Sequence, residues 1–308
     1  MSIEQLESIA QAMVAPGKGI IAIDESSSTI KKRFDAVGID NSEENRRAYR
    51  ELLLTAPGLA DHISGAILYD ETLRQSTRAG KPFTEVMRAA GILPGIKVDM
   101  GPQPLAGFPG EVVTEGLDGL RQRLAEYAGL GARFAKWRAV IHIGEDTPSS
   151  TCIEANNHAL ARYAALCQEA GLVPMVEPEV LMDGDHDIDV CYEVTEAVLR
   201  SLFASLYEHN VMLEGSILKA TVPALLPGIV FLSGGQSDEQ ATAHLNAMNQ
   251  LGPHPWPLSF SYGRAMQQAA LKLWAKDMQG NFAAAQKTVA QRARANGLAA
   301  LGQWTRGA

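Results

Sequence analysis

Eight short apolar runs punctuate the chain, at residues 19–24, 63–70, 92–99, 132–138, 172–179, 212–219, 228–233 and 257–262. They are rich in Ile, Val and Leu, as in GIIAID or ISGAILYD. Between them lie longer segments whose apolar residues recur every three or four positions, among them 42–54, 115–130, 156–170 and 189–206. The first pattern predicts buried strands and the second predicts helices packed on one face. Strands alternating with helices pair in parallel through right-handed crossovers. Eight such units predict an α/β fold, a (β/α)8 TIM barrel formed as a single domain over 1–308. A doubly wound open sheet is the alternative. Its dinucleotide-binding versions carry a glycine-rich loop after the first strand, where this chain reads AIDESSS. No low-complexity linker and no repeat of 20–50 residues divides the chain. An extra helix near residues 4–14 precedes the first strand and is expected to close the barrel bottom or pack on its side. Two helices follow Gly263, with a break near Gly280.

The sixth crossover is unusually short. Residues 220–227 read ATVPALLP, where a full crossover needs roughly 10–12 residues or more. Eight extended residues reach about 26 Å, enough to return along a strand but not with a full helix. Two outcomes follow. A truncated crossover of at most about two helical turns would expose the outer face of the strands it joins, with Ile217, Ile229 and Phe231 as candidates for that outward side or the core. A longer natural segment would instead interrupt the backbone between Lys219 and Ala220. The second is the expectation, because the charged residues described next are otherwise complete.

Parallel strands are buried on both faces and normally read as purely apolar. Here they end in charges: Asp24, then Lys97 and Asp99, Lys136 and Arg138, Glu177 and Glu179, and Lys219. The pairs are two residues apart, so each pair shares one face of its strand. All sit at C-terminal strand ends, where barrel enzymes place their chemistry. Any one of them could be an ordinary solvated charge, but together they bring both signs into one small volume. A lysine crowded by other cations is expected to lose its proton more readily. Its free amine attacks carbonyls to give a Schiff base, and neighbouring carboxylates supply acid and base steps. The seventh and eighth runs end in Ser233-Gly234-Gly235-Gln236 and Ser261-Tyr262-Gly263-Arg264, the loops with which barrels commonly bind phosphate.

Composition narrows the field. The 308 residues are 46% hydrophobic and 20% charged, with a net charge of −8. This excludes a disordered or disulfide-scaffold protein and argues against nucleic acid or anionic membrane as partners. Cys152, Cys167 and Cys191 have no zinc spacing and are expected as reduced, mostly buried thiols. Asp183, Asp185, His186 and Asp187 form a DGDHD stretch that reads as a surface turn. His142, His158, His209 and His244 are scattered and are expected to be structural or on the surface. No apolar run of 18 residues and no signal-peptide pattern is present, so the expected compartment is the cytoplasm.

The segments APGKGIIAIDES, GIKVDMG, FAKWRAVIHIGEDTPS, MVEPEVLMDGDHD, LEGSILK, FLSGGQS and FSYGRAMQ closely resemble class I fructose-1,6-bisphosphate aldolases, over nearly the whole chain. The resemblance implies a cytoplasmic, metal-independent lyase of glycolysis, usually a homotetramer with no cofactor. It would split fructose 1,6-bisphosphate into dihydroxyacetone phosphate and glyceraldehyde 3-phosphate. It makes Lys219 the Schiff-base lysine and Glu177 the main proton acceptor, with Glu179 shaping the site. Lys136 and Asp24 fall near the cleaved bond, and Arg138 supports the charge network. Ser233, Gly234, Gly235, Ser261, Gly263 and Arg264 match the site for the ketose 1-phosphate, and Arg33 and Lys97 the other phosphate end. Met100 replaces a lysine common in the family, and the longer tyrosine-ended tail of animal members is absent, which bears on rate and substrate preference. After the Schiff-base lysine the family has a longer loop and helix. Lys219 can be read as the end of the strand or of that lost helix, and LEGSIL before it favours the strand. The competing function is an impaired aldolase-like barrel that binds sugar phosphates or serves as a scaffold.

Overall fold

A computed structural model describes residues 3–220 and 228–306. Among the described residues, ten strands occur in the order β1 (Gly19–Ile23), β2 (Ile63–Leu68), β3 (Leu93–Lys97), β4 (Gly101–Pro104), β5 (Val112–Glu115), β6 (Phe134–Ile141), β7 (Val173–Val180), β8 (Ile217–Ala220), β9 (Ile229–Phe231) and β10 (Leu258–Tyr262). Eight of them close a parallel barrel in the order β1-β2-β3-β6-β7-β8-β9-β10. The remaining two, β4 and β5, pair as an antiparallel hairpin. The helices are α1 (Ile3–Met13), α2 (Ser27–Asp35), α3 (Glu43–Leu54), α4 (Asp70–Arg74), α5 (Phe83–Ala90), α6 (Leu120–Gly129), α7 (Ser150–Glu169), α8 (Ile188–Glu208), α9 (Asp238–Gln250), α10 (Arg264–Lys276) and α11 (Phe282–Ala299). The chain therefore folds as a single (β/α)8 barrel.

Local chemistry starts several helices. Ser26, Ser42 and Ser149 cap α2, α3 and α7 by accepting a backbone N–H one turn in, and Ser237 with Gln240 forms a reciprocal capping box on α9. Each such cap is worth about 1 kcal/mol. Asp187 of the DGDHD stretch caps α8, accepting from the N–H groups of Asp189 and Val190.

Side chains along the strands alternate between two cores. Ile20, Ile67, Phe134, Val173, Met175, Ile217 and Val230 point into the barrel and meet Leu6, Ala10 and Met13 of α1. Helix α1 therefore plugs the barrel floor. Each fully buried Leu, Ile or Phe in that floor contributes about 1.5–3 kcal/mol. The alternate residues, such as Ile21, Leu68, Leu218 and Phe260, build the larger core between sheet and helices. On β8 this alternation puts Ile217 inside, Leu218 outside and Lys219 inside again, one step above the apolar floor.

Three elements differ from the sequence pattern. The run 115–130 is not one helix: 112–115 joins the hairpin, and Gly116 and Gly119 take positive φ of 132° and 66° before α6 begins. The run 212–219 is not one strand either. Leu213–Gly215 forms a single 3-10 turn, and the strand starts at Ile217. Gln168 explains this: its side-chain amide accepts from Met212 N–H at 3.0 Å and donates to Met212 O at 2.7 Å, replacing ladder bonds. A Cβ on Gly215 would also lie 3.0 Å from Cβ of Leu6, so α1 needs the glycine there.

The third is the sixth crossover. Lys219 and Ala220 are consecutive residues of β8, and Ala220 pairs with Phe231, so the break expected between Lys219 and Ala220 is not there. Residues 221–227 lie outside the described residues. Of the two places open to Ile217, Ile229 and Phe231, the outward side or the core, all three take the core and are buried. Ile229 and Phe231 join the outer core with Leu202 and Leu206 of α8 and Leu245 of α9.

Candidate active site

The charged residues converge because the strands bring them into register. Lys97 of β3 pairs with Lys136 of β6, and Arg138 of β6 pairs with Glu177 of β7. Asp24 follows β1 directly, and Lys219 sits on β8. These side chains line one cavity of about 530 Å³ at the C-terminal end of the barrel, together with Arg33, Arg138, Glu179, Ser233, Gly234, Ser261, Gly263 and Arg264.

At its floor the charges alternate. Asp24 Oδ2 lies 3.1 Å from Lys136 Nζ, and Lys136 Nζ lies 3.0 Å from Glu177 Oε2. The other oxygen of Glu177 lies 2.7 Å from Lys219 Nζ. Lys136, Glu177 and Lys219 are only 4%, 2% and 5% exposed, so this chain of ions is almost dry. Burial alone would push each group towards its neutral form, yet the opposite charges win. Burial raises the Asp24 carboxyl, but Lys136 and Lys219 outweigh it and pull it down to about 2. Burial likewise opposes the Glu177 carboxylate, and Lys136, Lys219 and Arg138 hold it below the usual range. For Lys136, burial favours the free amine, and Asp24 and Glu177 override it to hold the proton firmly. For Lys136 this differs from the expectation that a lysine crowded by cations loses its proton more readily. Lys136 sits between two carboxylates and stays an ammonium.

The stability consequence has a definite sign. Asp24 has a folded value below its unfolded 3.8, so its contribution, about 2 kcal/mol, is fully present above that pH and disappears as pH falls towards 2. The stability advantage of the wild type over Asp24→Asn, read from urea unfolding, is expected to shrink over that interval and stay level from pH 5 to 8.

Around this floor further charges are paired. Arg138 pairs with Glu179. Lys97 Nζ reaches Asp99 Oδ1 at 2.6 Å, and Asp99 also accepts from the N–H groups of Gly101 and Arg138. At the rim, Ser261 Oγ is buried without a hydrogen-bond partner and lines the cavity. An unsatisfied hydroxyl of this kind costs about 1–3 kcal/mol unless a ligand answers it. Gly234 has φ +40°, and a Cβ there would meet Met182 Cε at 2.6 Å, so the tight loop requires glycine. Of the sequence-derived site residues, Gly235 alone is not brought to the cavity; it is exposed.

Sequence reasoning missed Glu25, Ser26, Ser28 and Thr29, which also line the cavity. The signal for the first three was present in AIDESSS, a polar cluster directly after the first strand, and Thr29 follows it. Residues 183–187 lie at the surface, as expected of a turn. Among the described residues, no group of three or more His, Cys, Asp or Glu is arranged to hold a metal, and no helix is long and apolar enough to cross a membrane.

Comparison with known proteins agrees with this geometry. The family model "Fructose-bisphosphate aldolase class-I" matches residues 5–221 and 216–308. A "Probable fructose-bisphosphate aldolase class 1" of Xanthomonas axonopodis pv. citri is 72% identical over 332 positions, covering 99% of each chain. The cytoplasmic isozyme of Spinacia oleracea is 50% identical, covering 99% of this chain and 93% of its own. The solved structure of fructose-bisphosphate aldolase from Plasmodium falciparum, in complex with TRAP and a small molecule inhibitor, superimposes with a TM-score of 0.95 at 46% identity, covering 99% of this chain and 96% of that one. The Xanthomonas alignment of 332 positions exceeds the 308 residues here by at least 24. The family match is split, with both parts claiming residues 216–221, so the difference falls at the end of β8.

Proposed function

The chain belongs to the class-I fructose-bisphosphate aldolase family, aldehyde-lyases that split fructose 1,6-bisphosphate into two triose phosphates, and on that premise we propose that Lys219 carries this reaction through a Schiff base. The observation that supports this reading is the 2.7 Å contact between the nearly buried side chains of Lys219 and Glu177 at the cavity floor. Glu177 takes the proton that frees the Lys219 amine. Losing that proton removes one of the three cations that depress the Glu177 carboxyl, so its basicity rises as it accepts. The amine adds to C2 of the ketose, Glu177 returns the proton to the departing oxygen, and water leaves. The resulting iminium is an electron sink. Glu177 next takes the proton of the C4 hydroxyl, C3–C4 breaks, and its electron pair moves into the imine as an enamine. Glyceraldehyde 3-phosphate departs. Protonation of C3 and hydrolysis then release dihydroxyacetone phosphate.

Lys136 keeps its charge beside the cleaved bond and, with Asp24, fixes the orientation of Glu177. Glu179 and Arg138 shape the wall of the cavity. Ser233, Gly234, Ser261, Gly263 and Arg264 take the 1-phosphate, and Arg33 and Lys97 the other phosphate. Incubation with dihydroxyacetone phosphate, borohydride reduction and peptide mapping tests the reading: the adduct is expected on Lys219, and its absence supports the impaired barrel instead. A homotetramer in the cytoplasm completes the proposal, with a relative named as a cytoplasmic isozyme in support.

Two outcomes follow. Arg264→Ala is expected to weaken binding of phosphorylated ketoses by roughly 10–150-fold, the equivalent of about 1.5–3 kcal/mol for a charge-assisted bond, and to spare an unphosphorylated ketose. Equal loss for both would make Arg264 structural. Cleavage is also expected to persist in EDTA, because the imine serves as the electron sink; activity lost in EDTA and restored by zinc would reject this.

A further inference from the structure

Glu25 is next to Asp24 but belongs to a different network. Its side chain is 4% exposed, and it meets two arginines: Arg33 of α2 through Oε1, and Arg50 of α3 at 2.7 Å through Oε2. Arg50 is itself 3% exposed. One carboxylate thus serves two guanidinium groups, and the three together carry a net charge of +1 at the cavity wall. A third element holds the carboxylate in place. Gln267, fully buried on α10, donates from Nε2 to Glu25 Oε1 at 3.1 Å and to Ala22 O of β1 at 2.5 Å. Its own Oε1 accepts from Tyr49 OH at 3.2 Å.

Gln267 is one helical turn beyond Arg264, so one helix bears a cation for one phosphate and the clamp on the cation for the other. Arg33 is the partly exposed member of the network, with its side chain 23% accessible and lining the cavity. We infer that Glu25 and Gln267 are positioning residues that fix Arg33 over the cavity and so set the preference for a ketose bisphosphate over a ketose 1-phosphate. This rests on the reading of Arg33 as a contact for the second phosphate.

The physical argument is preorganisation. An arginine side chain carries about 2 kcal/mol of rotamer entropy, and one already held by a carboxylate loses less of it on meeting a phosphate. A freely mobile Arg33 would bind the same anion more weakly. A ligand lacking the second phosphate gains nothing from the arrangement.

Steady-state kinetics on both substrates test this. Gln267→Met keeps the volume and the Glu25 charge but removes the clamp. It is expected to raise KM for fructose 1,6-bisphosphate about 2–10-fold with kcat little changed, and to leave KM for fructose 1-phosphate unaltered. Glu25→Asp keeps the negative charge but draws the carboxylate back from both arginines, Arg33 included, and is expected to act in the same direction. It carries the test if Gln267→Met fails to fold. Arg33→Ala is expected to show a larger loss on the bisphosphate alone, and adding Gln267→Met to it should do nothing further. If Arg33→Ala treats both substrates alike, the phosphate reading of Arg33 falls, and this inference with it. If Arg33→Ala discriminates while Gln267→Met and Glu25→Asp affect both substrates equally, only the positioning role is overturned.

Discussion

Replacing Lys219 with methionine is expected to abolish the borohydride-reducible adduct and lower kcat by on the order of 10⁶-fold, the scale seen when a covalent nucleophile is removed. Methionine matches the buried length of lysine, and Glu177 keeps Lys136 at 3.0 Å, so the cavity should persist without its amine. Circular dichroism and the melting temperature check that the barrel still folds. An adduct trapped in the variant would move the nucleophile elsewhere. The next candidate is Lys136, although Asp24 and Glu177 hold its proton firmly. The result also bears on the split family match at residues 216–221. Lys219 lies on a barrel strand and points inward beside Glu177, as the strand reading of LEGSILK requires.

Glu177→Gln is expected to separate capture from turnover. Covalent capture needs the Lys219 amine, whereas C–C cleavage needs a base at the C4 hydroxyl. The variant should still give some reducible adduct with dihydroxyacetone phosphate, while kcat for fructose 1,6-bisphosphate falls by about 10²–10⁴-fold. Glutamine retains the shape but removes the charge between Lys136 and Lys219, leaving two buried ammonium groups. Loss of one partner from a buried ion pair costs about 3–5 kcal/mol, so a lower melting temperature should accompany the kinetic defect. Wild-type kcat in this variant, with its fold intact, would remove Glu177 from the proton path.

The barrel was legible because its strands are buried on both faces. Runs such as GIIAID have no polar alternation, and their charges come only where the strand reaches the cavity. The paired positions Lys136/Arg138 and Glu177/Glu179 were readable for the same reason: period two places both on one face. The β4–β5 hairpin was not legible, since GPQP and VVTE carry two prolines and no apolar run. The 3-10 turn at Leu213–Gly215 depends on Gln168, more than forty residues away. Gln267 escaped for the same reason, because a glutamine 242 residues from the carboxylate it holds leaves no local trace. Gly235 differs from its neighbour in placement. The doublet Gly234-Gly235 suggested two phosphate-binding positions, but only Gly234 takes the left-handed backbone that narrows the loop.

The α1 plug also sets an order on synthesis. Leu6, Ala10 and Met13 leave the ribosome before any barrel strand, yet their docking surface includes Ile217 and Val230, which are made more than two hundred residues later. Until then the apolar stripe of α1 has only part of its final seat. Pairings across such long stretches of chain are slow to form and leave partly folded species open to aggregation. A bulky fusion at the N-terminal end would therefore interfere with the last step of barrel closure rather than with catalysis. Such a protein would be recovered in low soluble yield, while the molecules that did close would turn over normally.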